Sequence, residues 1–388
     1  MKTLKYTLIQ VLFCVLICAL SGYATVFLLD KQFSNMIIGS VLSISNVLGI
    51  LLQQVIATIV DNSKGKIKAK HIVLFAFTMI AVISLLLSVL KNANIIFLVL
   101  FILIFMFMGV VNPFITAMIF EIDKEGKEIN FGLARGMGSA GYAVASLILG
   151  NLTAVNGTAW LPKLYIILAI MTSIVVLTFK TPNSHESEIT VNKKEEKQNS
   201  ENFFKKYPLL TQVLLSVVFI FFGFNLINGY LVHIVRNVGG NQSQLGIAMF
   251  LAAVVELPSM AMSNKLQAKF GHSKLMMIAA LFFGIKHTLL WLAPNMTVVY
   301  ISQILQFCSY AFFIPVSVYL VSDLVENADQ MKGQALMTGA VSVGGVLASA
   351  IGGALLDLVG VSQTLLCATI VTWIGAVLLI SVMKKTQK

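Results

Sequence analysis

Charge is what this chain has least of: Asp, Glu, Lys and Arg make up 11% of its 388 residues, against roughly 25% in an ordinary soluble domain. So little charge cannot cover a chain that is 58% hydrophobic, and a soluble globular domain is excluded. Cysteine is also scarce. Cys14, Cys18, Cys308 and Cys367 all sit inside apolar runs, which excludes a disulfide framework and a clustered metal site and leaves packing as their role. The sequence holds no ATP-binding motif, metal-ligand cluster or nucleophile-base set, so no cofactor and no enzyme activity are expected.

What is present is apolar sequence in long runs. Twelve of them reach the roughly 20 residues that a helix needs to cross about 30 Å of hydrocarbon. The expected fold class is therefore an all-α membrane protein with twelve transmembrane helices. The net charge of +11 is explained by where the cations fall. Lys64, Lys66, Lys68, Lys70, Lys124, Lys127, Lys265, Lys269, Lys274, the lysines of 180–206 and those at both termini share one side. Lys31, Lys91, Lys163 and Arg236 share the other. By the positive-inside rule both termini are cytoplasmic, and the charge marks topology rather than a nucleic-acid site. The first run could be a signal peptide, but it continues through Tyr23, and losing it would break the inside-outside alternation. A multi-pass protein of the cytoplasmic (inner) membrane, in contact with the bilayer and monomeric, is expected.

The chain is organised around residues 131–150, FGLARGMGSAGYAVASLILG: one arginine, then small residues every three or four positions. Gly136, Gly138 and Gly141 would let a second helix approach closely, because small residues carry helix contacts in a bilayer. Arg135 should point inward, since a lipid-facing guanidinium is costly. The stretch recurs. A shift of about 203 positions lays 141–152 over 344–355, Gln53 over Glu256 and Asp61 over Asn264, and one position less lays Pro113 over Pro315. A duplicated six-span half is expected, with both halves entering from the cytoplasm: a bundle over 1–180, a polar linker over 181–206 and a second bundle over 207–388. Two parallel six-helix repeats about an axis along the membrane normal is a transporter arrangement.

Several residue patterns point to a site. Asn46 and Gln53 share a face of the second span, and Asn112 precedes Pro113 in the fourth, where the proline should interrupt the helix. Asn225 and Asn228 lie in the seventh span, and Gln303, Gln306 and Tyr310 share a face of the tenth, which should break at Pro315. Each amide alone could merely join helices; together they describe a neutral polar chamber suited to a hydroxyl-rich solute. Glu256 stands before Leu257-Pro258 with apolar sequence on both sides. An intramembrane carboxylate of this kind either loads and releases protons or forms a fixed ion pair, here with Lys286 of the ninth span.

The run FGLARGMGSAGY, the stretch from Glu256 through Gly271 to His287, and QMKGQALM before the eleventh span resemble the oligosaccharide-proton symporter-like branch of the major facilitator superfamily, which includes the lactose permease. The resemblance implies that Arg135 hydrogen-bonds the sugar, Tyr142 stands where a tryptophan stacks on it, and Lys286 takes the place of a ninth-span arginine of proton coupling. The loop after the second span is a degenerate form of the gating motif, with Asp61 and Gly65. Departures are plain. The fourth-span carboxylate would fall at Ala117, with Glu121 one turn on, and the eighth-span glutamate at Ala253, with Glu256 one turn on. The tenth-span histidine and glutamate become Gln306 and Ser309. Arg135 has a second reading as a gate with Glu121, and a third as a lipid-phosphate anchor.

The expected function is secondary transport of a small polar solute, a sugar, oligosaccharide or nucleoside, by alternating access with a proton as coupling ion. Proton-coupled efflux of a drug or metabolite is the alternative, and a non-transporting membrane sensor the alternative from another class.

Overall fold

The computed structural model describes residues 2–63, 66–90, 92–122, 129–179 and 203–386, and among them there is no strand. Helix α1 (Lys2–Ile17) runs through a π-helical turn (Cys18–Gly22) into α2 (Ala24–Asp30). Then follow α3 (Asn35–Asn62), α4 (Ala69–Val89), α5 (Ile95–Ile122), α6 (Phe131–Asn156) and α7 (Leu161–Leu177). The second half begins with the helical turn α8 (Phe203–Lys206), so its described part starts inside the expected linker, most of which lies outside the described residues. After it come α9 (Pro208–Gly229), α10 (Leu231–Asn237), α11 (Gln242–Phe270), α12 (His272–Trp291), α13 (Met296–Ile304), α14 (Tyr310–Leu324) and α15 (Gln330–Thr386).

Local chemistry sets the helix starts. Asn130 accepts from the Leu133 amide at 2.9 Å, and Asn241 and Gln244 bond each other's backbone amides at 3.1 and 3.0 Å in a capping box. Helix α15 turns at Gly360, whose φ of 77° with ψ of 179° is open only to glycine. Its two arms flank α9: a Cβ on Gly344 would meet Val218 and Phe222, and one on Gly375 would meet Ser216 and Phe219. Nine described helices are long and apolar enough to cross a membrane, the last spanning both arms of α15. Counting the two arms separately and adding the shorter α7 and the 29-residue, less apolar α11 is consistent with the expected twelve. The chain is a multi-pass membrane protein.

Two expected interruptions fall differently. Helix α5 runs unbroken through Pro113. The tenth span does not break at Pro315, which lies inside α14, but earlier, at a 3-10 turn (Leu305–Phe307) and Ser309. Ser259 of α11 donates to the Phe307 carbonyl at 2.9 Å, so one backbone group at the break has a partner, as an apolar setting requires.

The end of the bundle away from the termini is packed shut by two matching crossings. In one, α3 meets α15: a Cβ on Gly39 would collide with the Ser349 carbonyl and approach the Gly353 Cα to 3.2 Å. In the other, α6 meets α11: a Cβ on Gly246 would collide with the Ser146 carbonyl and approach the Gly150 Cα to 3.0 Å. Tyr23 donates to the Ser146 carbonyl at 2.9 Å, and Tyr230 to the Ser349 carbonyl at 3.0 Å. Asp357 adds a clasp, accepting from the Met36 amide at 2.7 Å and the Asn35 side chain at 2.8 Å. A carboxylate there satisfies orphan donors at the N-terminus of α3.

Toward the termini the halves separate. One apolar core joins first-half residues such as Phe13 and Phe77 to distal second-half residues such as Phe222 and Val235, while the terminal part of the second half forms its own core around Phe221, Phe283 and Phe313. Gly138 and Gly141 pack on α1 as expected, but Gly136, and Gly339 of α15, have nothing within 4 Å of an added Cβ. Gly223 is the opposite case. A Cβ there would meet Thr372, the Ala368 carbonyl at 2.8 Å and His287 Nδ1 at 3.2 Å. Gly223→Val is expected to destabilise the second half by about 1–3 kcal/mol through overpacking, read as an earlier thermal transition in detergent; an unchanged transition contradicts that packing.

Candidate functional site

Between the halves lies a cavity of about 710 Å³ to which both contribute. Helix α6 presents Arg135, Ser139 and Tyr142, spaced by four and three and so on one face. Asn46 comes from α3, Asn112 from α5, Asn225 and Asn228 from α9 and Glu256 from α11. The break between α13 and α14 turns Gln303, Gln306 and Tyr310 to the same space. A second cavity of about 290 Å³ follows α3 beside α15, lined by Asn46, Gly49, Gln53 and Asn225. Gln53 therefore faces this side chamber rather than the main one.

Three residues form a chain at the second-half wall. Gln306 donates from Nε2 to Glu256 Oε1 at 2.9 Å, and its Oε1 accepts from the Lys286 ammonium. Lysine only donates, so its position fixes which way the Gln306 amide turns and aims the NH2 at the carboxylate. Lys286 is fully buried behind Gln306, 5.4 Å from the Phe224 ring centroid, and Phe224 stacks on Tyr310 at 4.9 Å and 6°. The direct ion pair between Glu256 and Lys286 is not formed; an amide stands between them.

Arg135 is exposed to the cavity, has no described hydrogen-bond partner, and lies within electrostatic reach of Glu256 and Tyr310. Gln303 is fully buried, with both amide atoms unpartnered among the described residues. Asn225 spends its NH2 on the Phe221 carbonyl at 2.8 Å, leaving its oxygen uncommitted. The polar groups on offer are a guanidinium, carboxamides, two tyrosines and a carboxylate, and between them the wall is apolar, with Phe13, Ile17, Met108 and Met249 among its residues.

Ten of the expected residues thus line one chamber. Lys286 stands behind its wall. Gly65 lies outside the described residues, as do the side chains of Asp61 and Glu121, whose backbones end α3 and α5. His287 is a buried core residue bonded to Thr372 at 2.7 Å. The distal clasp, with Asn35, Gly39, Gly246 and Asp357, was not anticipated. The repeat carried part of its signal, since it lays Ser146 on Ser349 and Gly150 on Gly353.

Comparison with known proteins places the chain. It is 27% identical to a maltose permease of Geobacillus stearothermophilus over 267 residues, covering 66% of this chain and 64% of that protein. It is 23% identical to multidrug resistance protein 2 of Bacillus subtilis (strain 168) over 175 residues, 45% of this chain and 44% of that one. The chain thus matches just under two thirds of the first relative and less than half of the second. The crystal structure of the nucleoside transporter NupG (D323A mutant) superposes with a TM-score of 0.78 at 15% identity, covering 98% of this chain and 99% of that one, a likeness of fold. The profile of the MFS_1 like family matches residues 3–367, and the chain belongs to that family of the major facilitator superfamily.

Proposed function

We propose that the protein is a secondary transporter that carries a hydroxyl-rich solute, a sugar or nucleoside, together with a proton held by Glu256. The observation that carries this reading is that Glu256 is the one acid among the described residues lining a chamber whose other polar groups are chiefly amides, hydroxyls and Arg135, set among apolar side chains such as Phe13, Met108 and Met249. Carboxamides and a guanidinium match hydroxyls, and the Tyr310–Phe224 stack offers an apolar face to a ring. With the basic end cytoplasmic, the conformation is inward-facing: shut at the distal clasp, open toward the cytoplasm. Bundles 1–180 and 207–388, joined by 181–206, would rock about the chamber, with Asp61, Gly65 and Glu121 acting at the cytoplasmic gate. The maltose permease relative supports a sugar.

The multidrug resistance relative favours a second reading, export of an amphiphile by proton exchange. Proteoliposomes with an imposed pH gradient separate the two. Accumulation of labelled maltose, xylose or uridine under an inward proton gradient supports the first; transport of an amphiphilic cation alone, against that gradient, overturns it.

Gly136 supplies a check on rocking. Because an added side chain there meets nothing in this conformation, Gly136→Leu is expected to leave detergent stability unchanged. It should still slow uptake by about tenfold or more, a barrier change of roughly 1.4 kcal/mol, by obstructing closure of the cytoplasmic end. Normal uptake would show that this face never closes.

A further inference from the structure

The two distal crossings fix how the halves correspond in space. Gly39 answers to Gly246, and Ser146 and Gly150 answer to Ser349 and Gly353. Followed along α3 and α11, that register pairs Glu256 with Gly49, about one helical turn from the pairing with Gln53 that the sequence repeat suggests. Followed along α6 and α15, it pairs Ser139 and Tyr142 with Ser342 and Gly345. Glu256, Ser139 and Tyr142 line the main chamber, and their images Gly49, Ser342 and Gly345 line the side chamber. The side chamber is therefore the counterpart of the Glu256 pocket with the carboxylate and the tyrosine taken away.

Packing does not demand glycine at either image. A Cβ on Gly49 would come no nearer than 3.6 Å to α5, and one on Gly345 no nearer than 3.4 Å to the Asn225 amide, ordinary contacts unlike the collisions at Gly39 and Gly246. What the two glycines leave is space, about 290 Å³, near the lower end of the roughly 300–1,000 Å³ of ligand pockets. Its polar lining is uncharged. Asn46 and Gln53 have no described hydrogen-bond partner, and the Asn225 oxygen is uncommitted. Carboxamides both donate and accept, as the hydroxyls of a sugar require. Asn46, Asn225 and Gly345 line both cavities, so the two lobes adjoin.

We infer that the side chamber is a second solute subsite, taking one neutral hydroxylated ring while the main chamber holds another, so that the solute is a neutral disaccharide or a longer oligosaccharide. This deepens the proposed function and rests on its hydroxyl-rich solute. The test measures uptake by the purified full chain in proteoliposomes under an inward proton gradient, with labelled maltose, glucose, xylose and uridine as probes. Maltose is expected to be carried with a KM about tenfold or more below those of glucose and xylose, the worth of one or two added hydrogen bonds. Gln53 and Ser342 line the side chamber and not the main one. Gln53→Leu removes hydrogen bonding at similar bulk, and Ser342→Leu fills the space. Each should raise the ratio of maltose KM to glucose KM, or the maltose KM itself where glucose is not carried, by about tenfold, with folding checked by the thermal transition. An unchanged ratio in a folded variant, or an equal rise in both KM values, overturns the inference. Glucose, xylose or uridine carried as well as maltose, or in its place, also overturns it and leaves the proposed function standing. Failure of every probe overturns the proposed function, and the inference with it.

Discussion

Glu256→Gln is expected to reduce solute accumulation to the level of empty liposomes while leaving counterflow exchange of solute across the membrane. Glutamine keeps the shape of the side chain, and its carboxamide oxygen still accepts from Gln306 Nε2, the bond seen at 2.9 Å. What it cannot do is take up and release a proton. The separation of the two readouts follows from that: exchange needs only the loaded carrier to rock, whereas accumulation needs the proton gradient to be felt. The variant removes the anion that faces Arg135 and Lys286, so the exchange that persists should lose its pH dependence. Accumulation with an unchanged pH profile would remove Glu256 from the mechanism. Loss of exchange together with an earlier thermal transition would mean that the residue is a structural strut.

The second large effect belongs to the distal clasp. Gly39→Leu with Gly246→Leu is expected to abolish closure of that end, because each added side chain would run into a facing carbonyl, that of Ser349 or of Ser146, and neither has slack. Tyr230 holds the Ser349 carbonyl and Tyr23 the Ser146 carbonyl, at 3.0 and 2.9 Å. Helix crossings this close are made by small residues, here glycine facing serine and glycine. The double variant should fold, since the two crossings join the halves rather than build either one. It should bind solute from the distal side yet fail to translocate it. A cysteine introduced on the distal wall of the cavity, at Val232 or Leu245, should become reactive to an impermeant maleimide in the variant and remain protected in the parent. Full transport by the double variant would contradict the clasp as a moving contact.

The parts of this molecule legible in its sequence are those that chemistry forces locally. Hydropathy gave the passes, because backbone groups in lipid must be satisfied within helices. Most of the chamber was also visible, since an amide or a charge inside an apolar run has few places to point except inward; Asn46, Asn228 and Glu256 follow that rule. Gln53 shows its limit: facing inward does not say which of two adjoining cavities a side chain reaches, and helix rotation decides. The break in the tenth span fell at Leu305–Phe307 rather than Pro315 because tertiary partners were decisive. Ser259 bonds the Phe307 carbonyl and Lys286 holds Gln306, while a proline alone only bends a helix. A fixed ion pair of Lys286 with Glu256 was one of the two readings of that carboxylate; an amide from a third element stands between them, and no spacing rule encodes that. The clasp was hidden for a similar reason. Asp357 and Asn35 lie more than 300 residues apart, and each looks like an ordinary polar group at a helix end.

The claim on which the account rests is that Glu256, in contact with the chamber, is the group that gains and loses the coupling proton. Difference infrared spectroscopy of the reconstituted protein tests this directly, by following the carbonyl stretch of a protonated carboxylic acid as pH is stepped and solute is added. The account predicts a band that titrates, shifts on solute binding and is missing in Glu256→Gln. A band that survives the substitution, or the absence of any titrating carboxyl in the parent, would contradict it.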